Sequence, residues 1–335
     1  MADAERSGGL ALLPPGAWEA VDSAALQGRT LFVTGATGFV GRWTLAAIAQ
    51  LNARSARPLS VRALSRSAGT VMPYTAPWLT WVSGDVRGFR DDAPADFVLH
   101  AALPSTATPA GGEATLMETA RRGAEAVAAH AARAGVHRSL VLSSGAVYGA
   151  TVGPVAESAS FGPLAPGDAY ARAKREVEAI ARAAAGKGQE VVIARLFTCL
   201  GHGYRNHGHL AHVSLIADVR AGRPLALRSD GSAVRSYLFG ADLAVWLLAL
   251  LSRSGSDTVN VGSDVPLSLL TFARIVARLA GRGANGVQVG TAVPTARAHF
   301  VPDISHARVK YNLAPWTPVD AAVAQMLGAA VVGGR

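Results

Sequence analysis

Apolar residues along this chain follow two alternating rhythms. Short apolar runs recur at Leu31 to Val33, Leu59 to Leu64, Leu79 to Val82, Phe97 to His100, Ser139 to Ser144 and Val191 to Phe197. Runs this short, rich in Val, Ile, Leu and aromatic residues and bounded by turn-forming residues, predict buried strands. Between them the spacing becomes helical: Phe39, Val40, Trp43, Leu45, Ile48 and Leu51, then alanine-rich stretches from Glu113 to Ala134 and from Asp168 to Ala184. Strands alternating with helices at these lengths predict right-handed β-α-β crossovers and an α/β fold with a doubly wound parallel sheet, over residues 28 to 200.

After Phe197 the alternation loosens. A Gly- and His-rich loop from Gly201 to His212 precedes a helix to about Gly222, short strands near Leu225 to Leu227 and Ser236 to Phe239, and a helix from Asp242 to Leu251. Ser268 and the pair Thr317-Pro318 are starting caps for helices over Leu269 to Leu279 and Val319 to Leu327. Residues 201 to 330 therefore read as a smaller, mixed α/β lobe, with some segments returning to the first domain. Such a lobe sits over the carboxyl ends of the strands, where open α/β sheets bind ligands. Residues 1 to 27 show no sustained period and read as a loosely ordered leader, free or docked.

Composition narrows the class. Half of the 335 residues are hydrophobic and 16% are charged, enough to bury a substantial core. The longest candidate span, Leu243 to Leu251, is nine residues, short of the roughly 18 to 20 that cross a bilayer. It reads as a buried helix. The start of the chain lacks a basic leader with a hydrophobic region, and a lone cysteine, Cys199, excludes intrachain disulfides and cysteine-based metal clusters. The expectation is a cytoplasmic protein with no membrane partner. The net charge of +9 comes from basic residues scattered singly rather than massed with aromatics, which argues against nucleic acid. Nearly all of these basic residues are arginines; the lysines are Lys174, Lys187 and Lys310. A lysine kept in so arginine-biased a chain suggests a role arginine cannot fill.

The first strand runs into Gly35, Gly38 and Gly41, within Thr34-Gly-Ala-Thr37-Gly-Phe39-Val40-Gly41. Glycines there permit a tight turn and close approach of a phosphate to bare main chain, and the following helix offers unpaired N–H groups and a positive dipole end. Strand, G-x-x-G-x-x-G and amphipathic helix together make a dinucleotide site. Farther on, Ser143-Ser144 closes the fifth strand and Tyr170-Ala-Arg-Ala-Lys174 opens the next helix. Four residues apart, Tyr170 and Lys174 share one helix face. An ammonium beside a phenol lowers the phenol pKa from about 10 toward working pH, fitting it to move a proton while hydride moves at a nicotinamide.

These elements resemble the extended short-chain dehydrogenase/reductase family, in its nucleotide-sugar epimerase/dehydratase branch. The likeness covers about residues 29 to 320 and is carried by Thr34 to Gly41, Gly84-Asp85-Val86, Ser143-Ser144 with Val147-Tyr148-Gly149, Tyr170 to Lys174, Arg235-Ser-Tyr237 with Asp242, and Asn260-Val-Gly262. The resemblance implies a Rossmann-like fold and a homodimer formed through the helices near 113 to 134 and 168 to 184. It implies Tyr170 as acid/base, Lys174 as holder of the nicotinamide ribose, and Ser144 as hydrogen-bond partner of the reacting oxygen. Gly35, Thr37, Gly38, Phe39, Val40 and Gly41 would cradle the cofactor, Asp85 and Val86 meet the adenine, and Ala101 and Ala102 line its channel. Arg235 would reach the substrate's diphosphate.

Departures from the family pattern are equally informative. Dehydratases place an acidic pair after the catalytic hydroxyl; here Gly145 and Ala146 have no proton to give. At the end of the second strand NAD-binding members carry Asp, whereas this chain has Ser65-Arg66, which leans the cofactor from NAD toward NADP. Thr198 replaces a substrate-binding Asn, and Ala120 a structural one. The histidines His202, His207, His209 and His212 lack the Cys or carboxylate partners of a zinc site and read as pocket or surface residues, so no metal is expected. Three functions follow. The first is a nucleotide-sugar 4-epimerase; the second, favoured by Arg66 and Thr198, is a reductase of a nucleotide 4-keto-sugar. The third is a non-catalytic redox sensor, disfavoured because Tyr170 and Lys174 are both present.

Overall fold

A computed structural model describes residues 9–67, 74–103, 112–185, 188–204, 210–283, 286–291 and 298–328. Its centre is a seven-stranded, all-parallel sheet. Six strands come from the segment expected to form the sheet, residues 28 to 200: β1 (Thr30–Thr34), β2 (Ser60–Ser65), β3 (Leu79–Ser83), β4 (Phe97–His100), β5 (Arg138–Ser144) and β6 (Glu190–Leu196). β7 (Cys199–Leu200), β8 (Leu225–Leu227), β9 (Val234–Arg235) and β10 (Leu238–Phe239) lie outside this sheet, and β11 (Asp257–Val261) completes it. The order is β11-β6-β5-β4-β1-β2-β3. The chain winds outward from β1 to β3 and then returns to β4 on the other side. Leu31 is thus flanked by Val61 and Phe97, and a crevice opens between β1 and β4 at their carboxyl ends.

Side-chain alternation distributes the strands between two apolar layers. Leu140, Leu142, Val192 and Ala194 join one cluster, whereas Val141, Val191 and Ile193 join the opposite one. The first layer holds α2 (Phe39–Asn52), which follows a single helical turn α1 (Ser23–Leu26), together with α6 (Gly240–Ser252). The second holds α3 (Gly112–Ala134) and α4 (Ala169–Ala184), packed closely through Ala120, Ala124, Ala169 and Ala173. Every residue of α6 is buried, as its unbroken apolar run predicts. No helix among the described residues is long and apolar enough to cross a membrane.

The C-terminal part is built from short pieces: α5 (Ala211–Arg220), β12 (Leu267–Ser268), α7 (Leu269–Leu279), β13 (Val287–Val289), β14 (His299–Phe300), α8 (Ser305–Tyr311) and α9 (Val319–Leu327). Here the structure corrects two expectations. The strand expected over Ser236 to Phe239 shortens to β10, and Tyr237, outside it, is buried and stacks on Phe272 with ring centroids 4.5 Å apart. The leader, from residue 9 on, is docked rather than loose: Leu10, Ala17, Ala20 and Leu26 lie in the main core, and Arg253 donates to the Ala20 carbonyl. Residues 1–8 lie outside the described residues.

Asp242, in the first turn of α6, is fully buried and accepts from the Thr317 N–H at 3.2 Å and hydroxyl at 3.1 Å. Burial pushes its carboxyl up to about 7. Trp43 of α2, also fully buried, stands edge-on to Phe239 at 5.2 Å, and its indole N–H donates to the His202 carbonyl at 3.1 Å.

Candidate active site

The glycine turn joins β1 to α2 at the crevice. Gly35 has φ of +77°, a conformation L side chains rarely adopt, and a Cβ there would stand 2.7 Å from the Ala101 carbonyl carbon. Gly41 lets the helix settle on the turn, where a Cβ would fall 2.4 Å from the Gly35 oxygen. The N-cap of α2 is Gly38, without a capping side chain, so no side-chain acceptor closes off the first-turn N–H groups. Thr37, Phe39 and Val40 complete the turn. This bare, positively polarised concavity fits a pyrophosphate.

Thr34, Ala101 and Ala102 form one hydrogen-bonded corner. The Thr34 hydroxyl oxygen accepts from the Ala101 and Ala102 N–H groups, each at 3.2 Å, and lies 2.8 Å from His100 Nδ1. Burial and the nearby Lys174 hold the His100 imidazole neutral, down to about 3. The Thr34 hydroxyl and Nδ1 share this hydrogen bond. Ser65 is buried at the end of β2 and caps the Ser67 N–H at 3.2 Å; Arg66 is exposed, within electrostatic reach of Asp85. Asp85 is held below the usual carboxylate range first by Arg87, whose Nε donates to it at 2.9 Å. Val86 turns toward α3, beside Gly123.

Across the crevice, β5 and α4 assemble the second group. Strand register aligns Thr34 with His100 and His100 with Val141, so the segment from Leu142 to Ser144 ends at the same edge of the sheet as Ala101. Asp168 caps α4 by accepting from the Ala171 N–H at 3.3 Å. One turn in, Lys174 is buried and donates to the Leu142 carbonyl at 2.7 Å, with its Nζ 5.8 Å from the Tyr170 ring centroid. Loss of water pushes Lys174 down to about 8, although the Glu178 charge opposes this. Ser144 accepts from the Ala146 N–H at 3.2 Å, which leaves its own proton to donate. Tyr170 is half-buried.

The position after Ser144 is closed to an acidic side chain. A Cβ on Gly145 would stand 2.5 Å from Phe197 Cζ, and Phe197 in turn packs on Phe300 at 4.7 Å. Arg235, half-buried on β9, lies 5.9 Å above the Phe300 ring and donates to the Val234 carbonyl at 2.7 Å. Thr198 is half-buried, and its carbonyl accepts from the Leu238 N–H at 3.0 Å. Sequence reasoning overlooked Tyr204, whose ring stacks on Phe39 at 4.0 Å and whose phenol donates to the Cys199 carbonyl at 2.9 Å, in electrostatic reach of Tyr170. Glu178 was also overlooked, although its place four residues after Lys174 was a readable signal. His202 and His212 are buried; His207, His209 and Lys187 lie outside the described residues.

Comparison with known proteins agrees with this architecture. Residues 31–262 match the model of the NAD dependent epimerase/dehydratase family. UDP-glucuronic acid decarboxylase 1 from Xenopus tropicalis is 28% identical over 188 residues, 55% of this chain and 44% of that protein. The match thus spans less than half the length of that relative. The dTDP-4-dehydro-6-deoxy-D-allose reductase from Streptomyces bikiniensis is 29% identical over 274 residues, 76% of this chain and 82% of the relative. Among solved structures, UDP-glucuronic acid 4-epimerase from Bacillus cereus, in mutant form and in complex with UDP-4-deoxy-4-fluoro-glucuronic acid and NAD, superposes with a TM-score of 0.73 at 19% identity. That match covers 89% of this chain and 98% of the other.

Proposed function

The chain belongs to the NAD dependent epimerase/dehydratase family, and from that premise we propose that it is a nucleotide-sugar 4-epimerase working through a transient 4-keto sugar. The observation that carries the reading is the pairing of a buried Lys174, fixed to Leu142, with the half-buried Tyr170 beside it, where no carboxyl follows Ser144. An acid for dehydration is lacking there; a base for a sugar hydroxyl is present.

In this reading the turn Gly35, Thr37, Gly38, Phe39, Val40 and Gly41 holds the diphosphate of NAD, Ser65 and Arg66 its adenosine ribose, Asp85 and Val86 the adenine, and Ala101 and Ala102 the channel between. Bound there, NAD would supply a hydride acceptor and donor for C4 of the sugar. Tyr170 as phenolate accepts the C4 hydroxyl proton and later restores it, so the reaction is neutral in protons. Lys174 stabilises the phenolate and meets the nicotinamide ribose. Ser144 donates to the same sugar oxygen, which keeps that oxygen in place while its charge changes. Arg235 pairs with the nucleotide diphosphate, and Thr198 faces the sugar.

The test is incubation with NAD and either UDP-glucose or UDP-glucuronic acid, followed by resolution of the C4 epimers. Epimer should form with no net change in NADH absorbance. Tyr170→Phe should lower turnover by about 10²- to 10⁴-fold and leave NAD affinity nearly intact; unchanged turnover refutes the role of Tyr170. A second reading, reduction of a nucleotide 4-keto-sugar with NADPH, is favoured by exposed Arg66, which suits a 2′-phosphate, and by the name of the Streptomyces relative. It requires stoichiometric NADPH consumption. If neither isomerisation nor NADPH use is found, both readings fail.

A further inference from the structure

Beyond Tyr170 and Lys174, helix α4 carries a third ionisable group on the same face. Glu178 is 3% exposed and one turn past Lys174, itself 5% exposed. A carboxylate so buried must be compensated, yet Glu178 gives its oxygens elsewhere than to Lys174. Arg195 Nε and Nη2 donate to it at 2.9 and 2.8 Å, and the Ser143 hydroxyl donates at 2.5 Å. Arg195 lies directly opposite Ser143 in the β5–β6 register, so the clamp is fixed by two central strands. Its remaining nitrogen donates to the Tyr148 phenol at 2.9 Å, which donates in turn to Asn260 on β11 at 2.8 Å.

We infer that Glu178 is a positioning residue whose immobilised negative charge keeps Lys174 an ammonium in a water-poor core, and thereby keeps the Tyr170 phenolate accessible. The inference rests on the proposed acid/base role of Tyr170. The physical reason is simple. Desolvation pushes a buried lysine toward its neutral form, and a neutral lysine no longer favours the phenolate beside it. A mobile carboxylate would collapse onto the ammonium and displace it from Leu142; one held by Arg195 and Ser143 acts through space and leaves Lys174 in position.

Other titratable groups near this end of α4 do not take over this task. His100 at the end of β4 is neutral, and Tyr204 is kept protonated by burial. The Glu113 carboxylate on α3 is engaged by Arg172. Arg195, and Arg182 with its Nη2 3.7 Å from Glu178, oppose an ammonium rather than favouring one.

The experiment titrates Tyr170 in the full chain by tyrosinate difference absorbance, each background being compared with its Tyr170→Phe counterpart. Glu178→Gln should move the Tyr170 titration up by about one pH unit, whereas Glu178→Asp, which keeps the charge, should restore most of that shift. Ser143→Ala leaves Glu178 charged with one donor fewer and should move the titration slightly the other way. An unchanged Tyr170 titration in folded Glu178→Gln overturns the inference. If that variant fails to fold because Arg195 is left unpaired, an unshifted Ser143→Ala protein overturns it instead. No sugar is needed, so failure of the epimerase reading and failure of this one are separable.

Discussion

The two ends of this site are made in different ways. On the side proposed for the coenzyme the groups offered are main chain: a glycine turn, helix N–H groups and the backbone of Ala101 and Ala102, all fixed by strands of four to six residues. On the side proposed for the nucleotide diphosphate they are side chains carried by strands of only two residues, β9 with Arg235 and β14 with Phe300. β9 pairs antiparallel with β12 and parallel with β14, segments that lie far along the chain. Backbone geometry repeats from one sequence to another, whereas such distant pairings can be rearranged one side chain at a time. A fold of this kind holds its coenzyme site steady while its substrate site varies.

The most severe way to break that contrast is to add a side chain where main chain is required. Gly35→Val is strained by its positive φ and collides with Ala101, and should cost about 3 kcal/mol of stability or more and abolish NAD binding; thermal unfolding and calorimetric titration with NAD check both. Arg235→Ala should act on the other half alone. It should raise KM for the nucleotide sugar by about 10- to 100-fold, the effect of losing charged hydrogen bonds, with NAD affinity unchanged. A loss of NAD affinity in this variant would mean the two halves are not separable.

A smaller effect should appear where the halves are fastened together. Asp242 has a folded pKa raised to about 7 from 3.8, so the folded chain binds its proton more tightly than the unfolded chain does. Stability from this group is therefore lost as pH rises from about 4 to 7 and is level above that. Asp242→Asn should flatten this part of the profile, seen as a smaller fall in Tm between pH 5 and pH 8. An unaltered profile would place the pH dependence elsewhere.

The same contrast governs what could be read from sequence. The strands from Leu31 to Phe197 and the helices between them are local patterns with one period each, and their positions follow from burial alone. Asp257–Val261 escaped notice as a strand because its partner β6 lies some sixty residues earlier and its first two residues, Asp257 and Thr258, do not look buried. The pairing of Tyr170 with Lys174 was legible from helix geometry. That a buried carboxylate stood behind them was not, since the ligands of Glu178 come from two strands. Similarly, Gly145 was read as a missing acid, but only its contact with Phe197 explains why an acid could not simply be put back.

Trp43 emerges early in synthesis, yet the groups that cover its indole, His202 and Phe239, are made much later. A nascent chain that has not reached Phe239 carries an uncovered indole on the very helix that follows the glycine turn. Translation of this protein therefore has to run well past β6 before the Trp43 face of α2 is sheltered.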